Sequence, residues 1–339
     1  MKFGRNILLS SLLASLVAVG GLATPVPAAE NAPYASIDRI VAFGTSLTDT
    51  GNAFFWLSEP ANRNQNCGAP LNVPPYDALD DLLVPDGPYA KGGHHFTNGA
   101  TWIEGMARYL VLSGNARPAI QNPGMEASNY ATGGARAVHF PCRFNLPDQV
   151  GAYLGKFPQT SNQTLVVIEI GANDVRDALA SGDPTHIANA IGSLSTSIIQ
   201  LYGSGAKKFL VLNVPDIGKT PAVRKLDLIF PQLHIPAAAQ ALSQAYNNGL
   251  ALAVQGLRAN LGPGIDIRIL DIYSTLNDVL TRPEYYGFLN TTDACVTPNQ
   301  APFTCAQPDT YVFWDGIHPT KALHAIVAKQ ALDLILSAP

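Results

Sequence analysis

Charge is what this chain has little of: 14% of its 339 residues are Asp, Glu, Lys or Arg, and the net charge is −4. No stretch gathers Lys and Arg into a stripe. Phosphate backbones are held by clustered cations, so nucleic acid is not an expected partner. Cysteine is scarce too, at Cys67, Cys142, Cys295 and Cys305, and none stands in a C-x-x-C pair. No His, Cys, Asp or Glu cluster has the ligand spacing of zinc, calcium or iron. Neither a metal nor another cofactor is expected. Past the N-terminus, no apolar run is long enough to cross a bilayer. There is no internal repeat and no low-complexity linker, so 30–339 reads as one domain.

The chain begins as an export signal does. Lys2 and Arg5 form a positive region, an apolar stretch runs from Ile7 to about Ala23, and Val26-Pro27-Ala28-Ala29 supplies small residues for cleavage. A signal peptide over 1–29 and a secreted or periplasmic protein are the expectation; an uncleaved anchor is the alternative. An even cysteine count fits export. Cys295 and Cys305 flank a Pro-rich loop and are expected to pair, leaving Cys67 with Cys142, although four cysteines allow three connectivities.

Short apolar runs at Arg39–Gly44, Leu165–Gly171, Phe209–Val214 and Ile265–Leu270 read as strands. Thr101–Leu112, His186–Tyr202, Ala237–Leu261 and Thr320–Leu336 read as helices. Continuous apolar strands between amphipathic helices indicate an α/β protein whose parallel sheet is covered on both faces. Two irregular stretches, 52–99 and 286–311, interrupt the alternation. They would either surround a site or cover a sheet edge.

Ligands of open α/β sheets bind beyond the carboxyl ends of the strands. After the first strand stands Gly44-Thr45-Ser46-Leu47, where Ser46 would meet backbone N–H groups suited to developing negative charge, or would merely cap a helix. Asn129-Tyr130-Ala131-Thr132-Gly133-Gly134-Ala135 offers Gly134 N–H as an anion donor, or a tight turn. Gly171-Ala172-Asn173-Asp174 offers the Asn173 amide, or an Asx turn. In Asp315-Gly316-Ile317-His318-Pro319, the Asp315 carboxylate can reach His318 Nδ1 on a tight turn, leaving Nε2 as a base. Together these supply a nucleophile, an oriented base and oxyanion donors, the set that acyl transfer requires.

The same four blocks, in this order, resemble those of the SGNH hydrolases, or GDSL lipases and esterases. Phe96-Thr97-Asn98-Gly99, Leu212–Gly218 and Tyr246–Leu250 are also similar to stretches of the branch that holds bacterial phospholipase/lecithinase/haemolysin-type enzymes and plant GDSL lipases. The resemblance implies a three-layer α/β/α, flavodoxin-like fold with a parallel five-stranded sheet. It implies ester hydrolysis through an acyl-enzyme without cofactor. Ser46 would be the nucleophile, His318 the base, Asp315 its orienter, and Ser46 N–H, Gly134 N–H and Asn173 the oxyanion hole. A small-molecule or lipid ester would be the substrate, with transient contact to a lipid surface and no obligate protein partner. Polysaccharide O-deacetylation and phospholipid acyl transfer use the same machinery and stand as alternatives, with a non-catalytic binding protein a remote one. One position departs from the pattern: Thr45 replaces the Asp of the G-D-S-L block. That Asp supports the turn, a task Thr45 could take over by bonding locally.

Overall fold

The computed structural model describes residues 37–59, 62, 94–120, 126–141, 143–296 and 304–337. The expected signal over 1–29 and the expected Cys67–Cys142 pair lie outside them.

Four strands, β1 (Arg39–Gly44), β2 (Thr164–Glu169), β3 (Lys208–Leu212) and β4 (Asp266–Leu270), form one parallel sheet in the order β1-β2-β3-β4. A fifth position, at the free edge of β1, is filled by the extended segment Ser128–Thr132. Ala42 N–H donates to Ser128 O (3.0 Å), Tyr130 N–H to Ala42 O (2.7 Å) and Thr132 N–H to Gly44 O (3.0 Å). Numbered along the chain, the five positions run 2-1-3-4-5, the flavodoxin-like order. The five-stranded expectation is met, with the second position held as an extended edge rather than a regular strand.

Alternation along each strand sends side chains to two separate cores. Val41, Phe43, Val166, Ile168, Phe209 and Val211 face one layer. There α3 (Leu146–Lys156), α4 (Ala172–Ser181), α5 (Thr185–Gly203) and α7 (Ile235–Leu261) pack. Ile40, Ala42, Leu165, Val167 and Leu210 face the other, covered by α2 (Trp102–Tyr109) and α10 (Lys321–Leu336); α1 (Asn52–Ser58), α8 (Ile272–Thr281) and α9 (Pro283–Tyr286) are further helices. Both faces of the sheet are therefore apolar, which is why the strands read as unbroken hydrophobic runs.

Local chemistry sets several helix starts. Glu104 Oε2 accepts Thr101 N–H (2.9 Å) at the start of α2, and Asp148 Oδ2 accepts Asn145 N–H (3.0 Å) at that of α3. Pro221 opens α6 (Pro221–Ile229), where a missing N–H costs nothing. Cys295 and Cys305 are bonded, as expected. They stand beyond β5 (Asn290–Ala294), which pairs with β6 (Tyr311–Phe313). Cys295 N–H donates to Phe313 O (3.1 Å) and Val296 N–H to Trp314 O (2.8 Å), so this stretch braces the loop that follows β6.

Candidate active site

The order of the strands reverses at β1: its first connection leads to the 128–132 edge and its next neighbour is β2. Such a switch point opens a crevice at the carboxyl ends of the strands. Ser46 follows β1 there, Asn173 follows β2, and Gly134 follows the edge segment.

Beyond β1 the chain coils once. Thr48 N–H and Asp49 N–H both donate to Thr45 O, at 3.2 and 3.0 Å. Ser46 rides on this turn, and its own N–H meets no acceptor among the described residues. Asp49 pins the turn to the glycine block. One carboxylate oxygen accepts Gly51 N–H and Asn52 N–H, each at 2.7 Å; the other accepts Ala53 N–H at 2.9 Å and Gly133 N–H at 2.7 Å. Burial nonetheless raises the Asp49 pKa to about 6, because the four N–H dipoles offset only part of the desolvation. Asn52 adds a second staple, its amide donating to Asn129 O (2.7 Å) and Ala131 O (2.8 Å).

Gly134 has φ +77°, a backbone region costly for any residue with a Cβ. Its N–H also meets no acceptor among the described residues. Asn173 Nδ2 donates one hydrogen to Ala135 O (2.8 Å), which fixes the amide and leaves its second N–H for a ligand. The neighbouring Asp174 accepts Ala137 N–H through both oxygens, at 3.0 and 3.1 Å, and burial raises its pKa to about 6.

The last block closes the site. Asp315 is wholly buried. One of its oxygens accepts Ile317 N–H (2.8 Å) and His318 N–H (2.7 Å), and the other lies 2.7 Å from His318 Nδ1. His318 Nε2 lies 2.8 Å from Ser46 Oγ. Trp314 N–H donates to His318 O (2.8 Å) and closes the loop, and the Phe96 ring stands 5.1 Å from the imidazole. Thr97 Oγ1 donates to Pro319 O (2.8 Å), and Asn98 Oδ1 accepts Lys321 N–H (2.7 Å). A hydroxyl on an imidazole that a buried carboxylate orients can be deprotonated as it attacks a carbonyl. The structure thus brings Ser46, His318 and Asp315 into one chain of hydrogen bonds.

A cavity of about 660 Å³ opens on this chain, lined by Ser46, Asn173 and His318 at one end. Leu179, Ile217, Val223 and Leu226 form much of its apolar wall. Gly134 is not part of the lining; it stands behind, on the turn that Asp49 and Asn173 hold.

Sequence reasoning passed over Asp49, Arg176 and Glu169. Glu169 is buried at the end of β2, and its carboxylate accepts Thr45 N–H (3.0 Å), Thr45 Oγ1–H (2.9 Å) and Thr48 Oγ1–H (3.2 Å). Thr45 therefore bonds across 124 positions of sequence rather than locally. Burial raises the Glu169 pKa to about 7. Its signal was legible: an acid interrupts an otherwise apolar strand. Of the irregular stretches, 286–311 touches the His318 loop through its described ends; most of 52–99 lies outside the described residues.

The profile of the family described as GDSL-like Lipase/Acylhydrolase matches residues 40–331. A phosphatidylcholine-sterol acyltransferase of Aeromonas hydrophila is 24% identical, over 94% of this chain and 96% of its own. A GDSL esterase/lipase of Arabidopsis thaliana is 26% identical, over 88% of this chain and 84% of its own. Among solved structures, an aryl esterase of M. smegmatis is 17% identical, covering 87% of this chain and 99% of its own with a TM-score of 0.44. The chain belongs to the GDSL-like lipase/acylhydrolase family and is an enzyme of the carboxylic ester hydrolase class.

Proposed function

We propose that this chain is a secreted hydrolase of lipid-like acyl esters that works through an acyl-enzyme on Ser46. The observation that carries the reading is the continuous link from Asp315 through His318 to Ser46 at the mouth of an apolar cavity. Ser46 Oγ attacks the acyl carbonyl carbon while His318 Nε2 takes its proton. The tetrahedral oxygen is held by Ser46 N–H, Gly134 N–H and the free Asn173 N–H; losing one such donor typically costs about 3 kcal/mol of transition-state stabilisation. Collapse expels the alcohol, which takes the proton from His318. Water, deprotonated by His318, then attacks the acyl-enzyme and releases the acid.

Two features support a lipid-like ester over an acetylated sugar. The cavity wall is apolar through most of its length, and the cavity is large enough for more than an acetyl group. In the last turn of α6 and just beyond it, beside the cavity residues Leu226 and Leu233, the tip residues Leu228, Ile229 and Phe230 are exposed. Such a patch suits transient contact with a lipid surface. The export signal over 1–29 belongs to the same reading, since it would deliver the chain to such surfaces. The Aeromonas relative is named for acyl transfer to a sterol, so an acyl acceptor other than water is the second reading; a competing alcohol in the assay separates the two.

The test is hydrolysis of p-nitrophenyl esters of rising chain length by the wild type and Ser46→Ala. The wild type should prefer chains longer than acetyl, and Ser46→Ala should lose at least about a thousandfold in kcat. Equal rates for the two proteins would remove the nucleophile. Strict preference for acetyl would transfer the reading to a deacetylase.

A further inference from the structure

Among the described residues lining the cavity, Arg176 is the only Lys, Arg, Asp or Glu, and the rest of that described wall is mostly apolar. It stands on α4 three residues after Asn173, so the two side chains project from one face of the helix. A guanidinium in such a setting ordinarily finds a carboxylate, because an unpaired buried charge is costly. Here the two acids nearby are committed elsewhere. Asp177 holds Arg136 through both oxygens, at 2.8 and 2.9 Å, and Asp174 accepts Ala137 N–H. Arg176 itself forms no hydrogen bond or ion pair among the described residues. Burial first, then the neighbouring Arg136 and Arg143, hold its pKa down to about 10 against the pull of Asp177 and Asp174, which leaves it cationic at neutral pH. Arg143 lies close by on the other side of the oxyanion donors: its Nε is 2.9 Å from where a Cβ on Gly134 would stand. Among the described residues, Arg136 is held by Asp177, and Arg176 lines the cavity with no hydrogen bond or ion pair of its own.

We infer that Arg176 is a specificity residue that selects acyl esters carrying an anionic group, a phosphate or a carboxylate, close to the ester carbonyl held at Asn173. The inference rests on the ester-hydrolase reading of this same cavity. The planar guanidinium fork matches either anion through two parallel hydrogen bonds, and the apolar wall strengthens that contact by excluding water. The anion can belong to the alcohol side of the ester, as in a glycerol phosphate ester, or to the acyl side, as in a half-ester of a dicarboxylic acid.

The experiment measures kcat/KM for the wild type, Arg176→Gln and Arg176→Lys on two matched pairs. One pair is a monoacylglycerol phosphate and the monoacylglycerol of the same chain. The other is the p-nitrophenyl half-ester of a dicarboxylic acid and the p-nitrophenyl ester of the monocarboxylic acid of the same length. In one pair the ratio of anionic to neutral substrate should fall at least tenfold in Arg176→Gln, mainly through KM, and less in Arg176→Lys. The pair that responds tells on which side of the ester the anion sits. Ratios unchanged in both pairs overturn the inference. Glycerol 3-phosphate and a dicarboxylate, added to the wild type acting on the neutral esters, provide a readout that needs no folded variant: inhibition by either supports the site, and inhibition by neither opposes it. A wild type that cleaves none of the four esters, or a Ser46→Ala protein as active as the wild type, would instead defeat the hydrolase reading itself.

Discussion

Glu169 holds a carboxyl among three donors, Thr45 N–H and the hydroxyls of Thr45 and Thr48, with no cation opposite among the described residues. Its folded pKa, about 7, lies above its unfolded value of 4.5 because burial penalises the charge. Between those values the folded chain keeps a proton that the unfolded chain has released. The group therefore stabilises fully below pH 4.5, and that contribution drains away as pH rises to about 7. In Glu169→Gln this dependence disappears. The stability of the wild type relative to the variant should decline by about 3 kcal/mol between pH 4.5 and 7, read from denaturant midpoints across that range. A constant difference would mean that Glu169 is ionised throughout. The same contact shows what Thr45 bonds at the position of the Asp in the G-D-S-L block: a carboxylate from β2. Thr45→Asp, which restores the family block, sets two acids side by side and should destabilise. Thr45→Asp in the Glu169→Gln background should cost less, with a coupling of roughly 1–3 kcal/mol in a double-mutant cycle. Additive effects would show that the two positions do not interact.

The elements differ in how much of them the sequence disclosed. Strands β1 to β4 and helices α2, α5, α7 and α10 stand where apolar runs and helical periodicity put them, because each buries a face that its own residues advertise. Helices α3, α4 and α6 went unread, as did α8 (Ile272–Thr281). Each begins at a strand end or a Pro turn where Gly, Asn and Pro read as loop, and each is short, so its periodicity has few turns in which to show. The site blocks were legible because they fall immediately after strands. Asp49 and Glu169 were not assigned to the site, since what each carboxylate holds depends on contacts between segments far apart in sequence. Gly171 ties one block to the fold. Its φ is +118°, and a Cβ there would lie 2.2 Å from the Tyr246 ring, whose hydroxyl donates to Ile170 O at 2.8 Å. Gly171→Ala must therefore strain the backbone and displace a buried tyrosine in the same step. It should lose roughly 2–5 kcal/mol of stability. Because Asn173 lies two residues on, its kcat on a p-nitrophenyl ester should fall too. A thermal midpoint equal to that of the wild type would contradict this account of the turn.

At the scale of the whole molecule, the apolar cavity continues outward into an apolar tip. Leu226 and Leu233 line the cavity, and between them Leu228 is 83% exposed, Ile229 55% and Phe230 43%. Single exposed leucines are ordinary, whereas several together beside a substrate opening form a patch that water solvates poorly. None of the described helices is long and apolar enough to cross a membrane. Fully burying such a side chain gains about 1.5–3 kcal/mol; partial entry of the two, worth about 1.4 kcal/mol in all, multiplies surface residence about tenfold. The double variant Leu228→Ser/Phe230→Ser should therefore act more slowly on ester presented in vesicles or micelles, by about tenfold, while a soluble short-chain ester is cleaved at a rate close to that of the wild type. The ratio of the two rates is the measurement, since it cancels any general loss of folded protein. If the ratio does not move, the tip is not the contact, and the ester reaches Ser46 from solution.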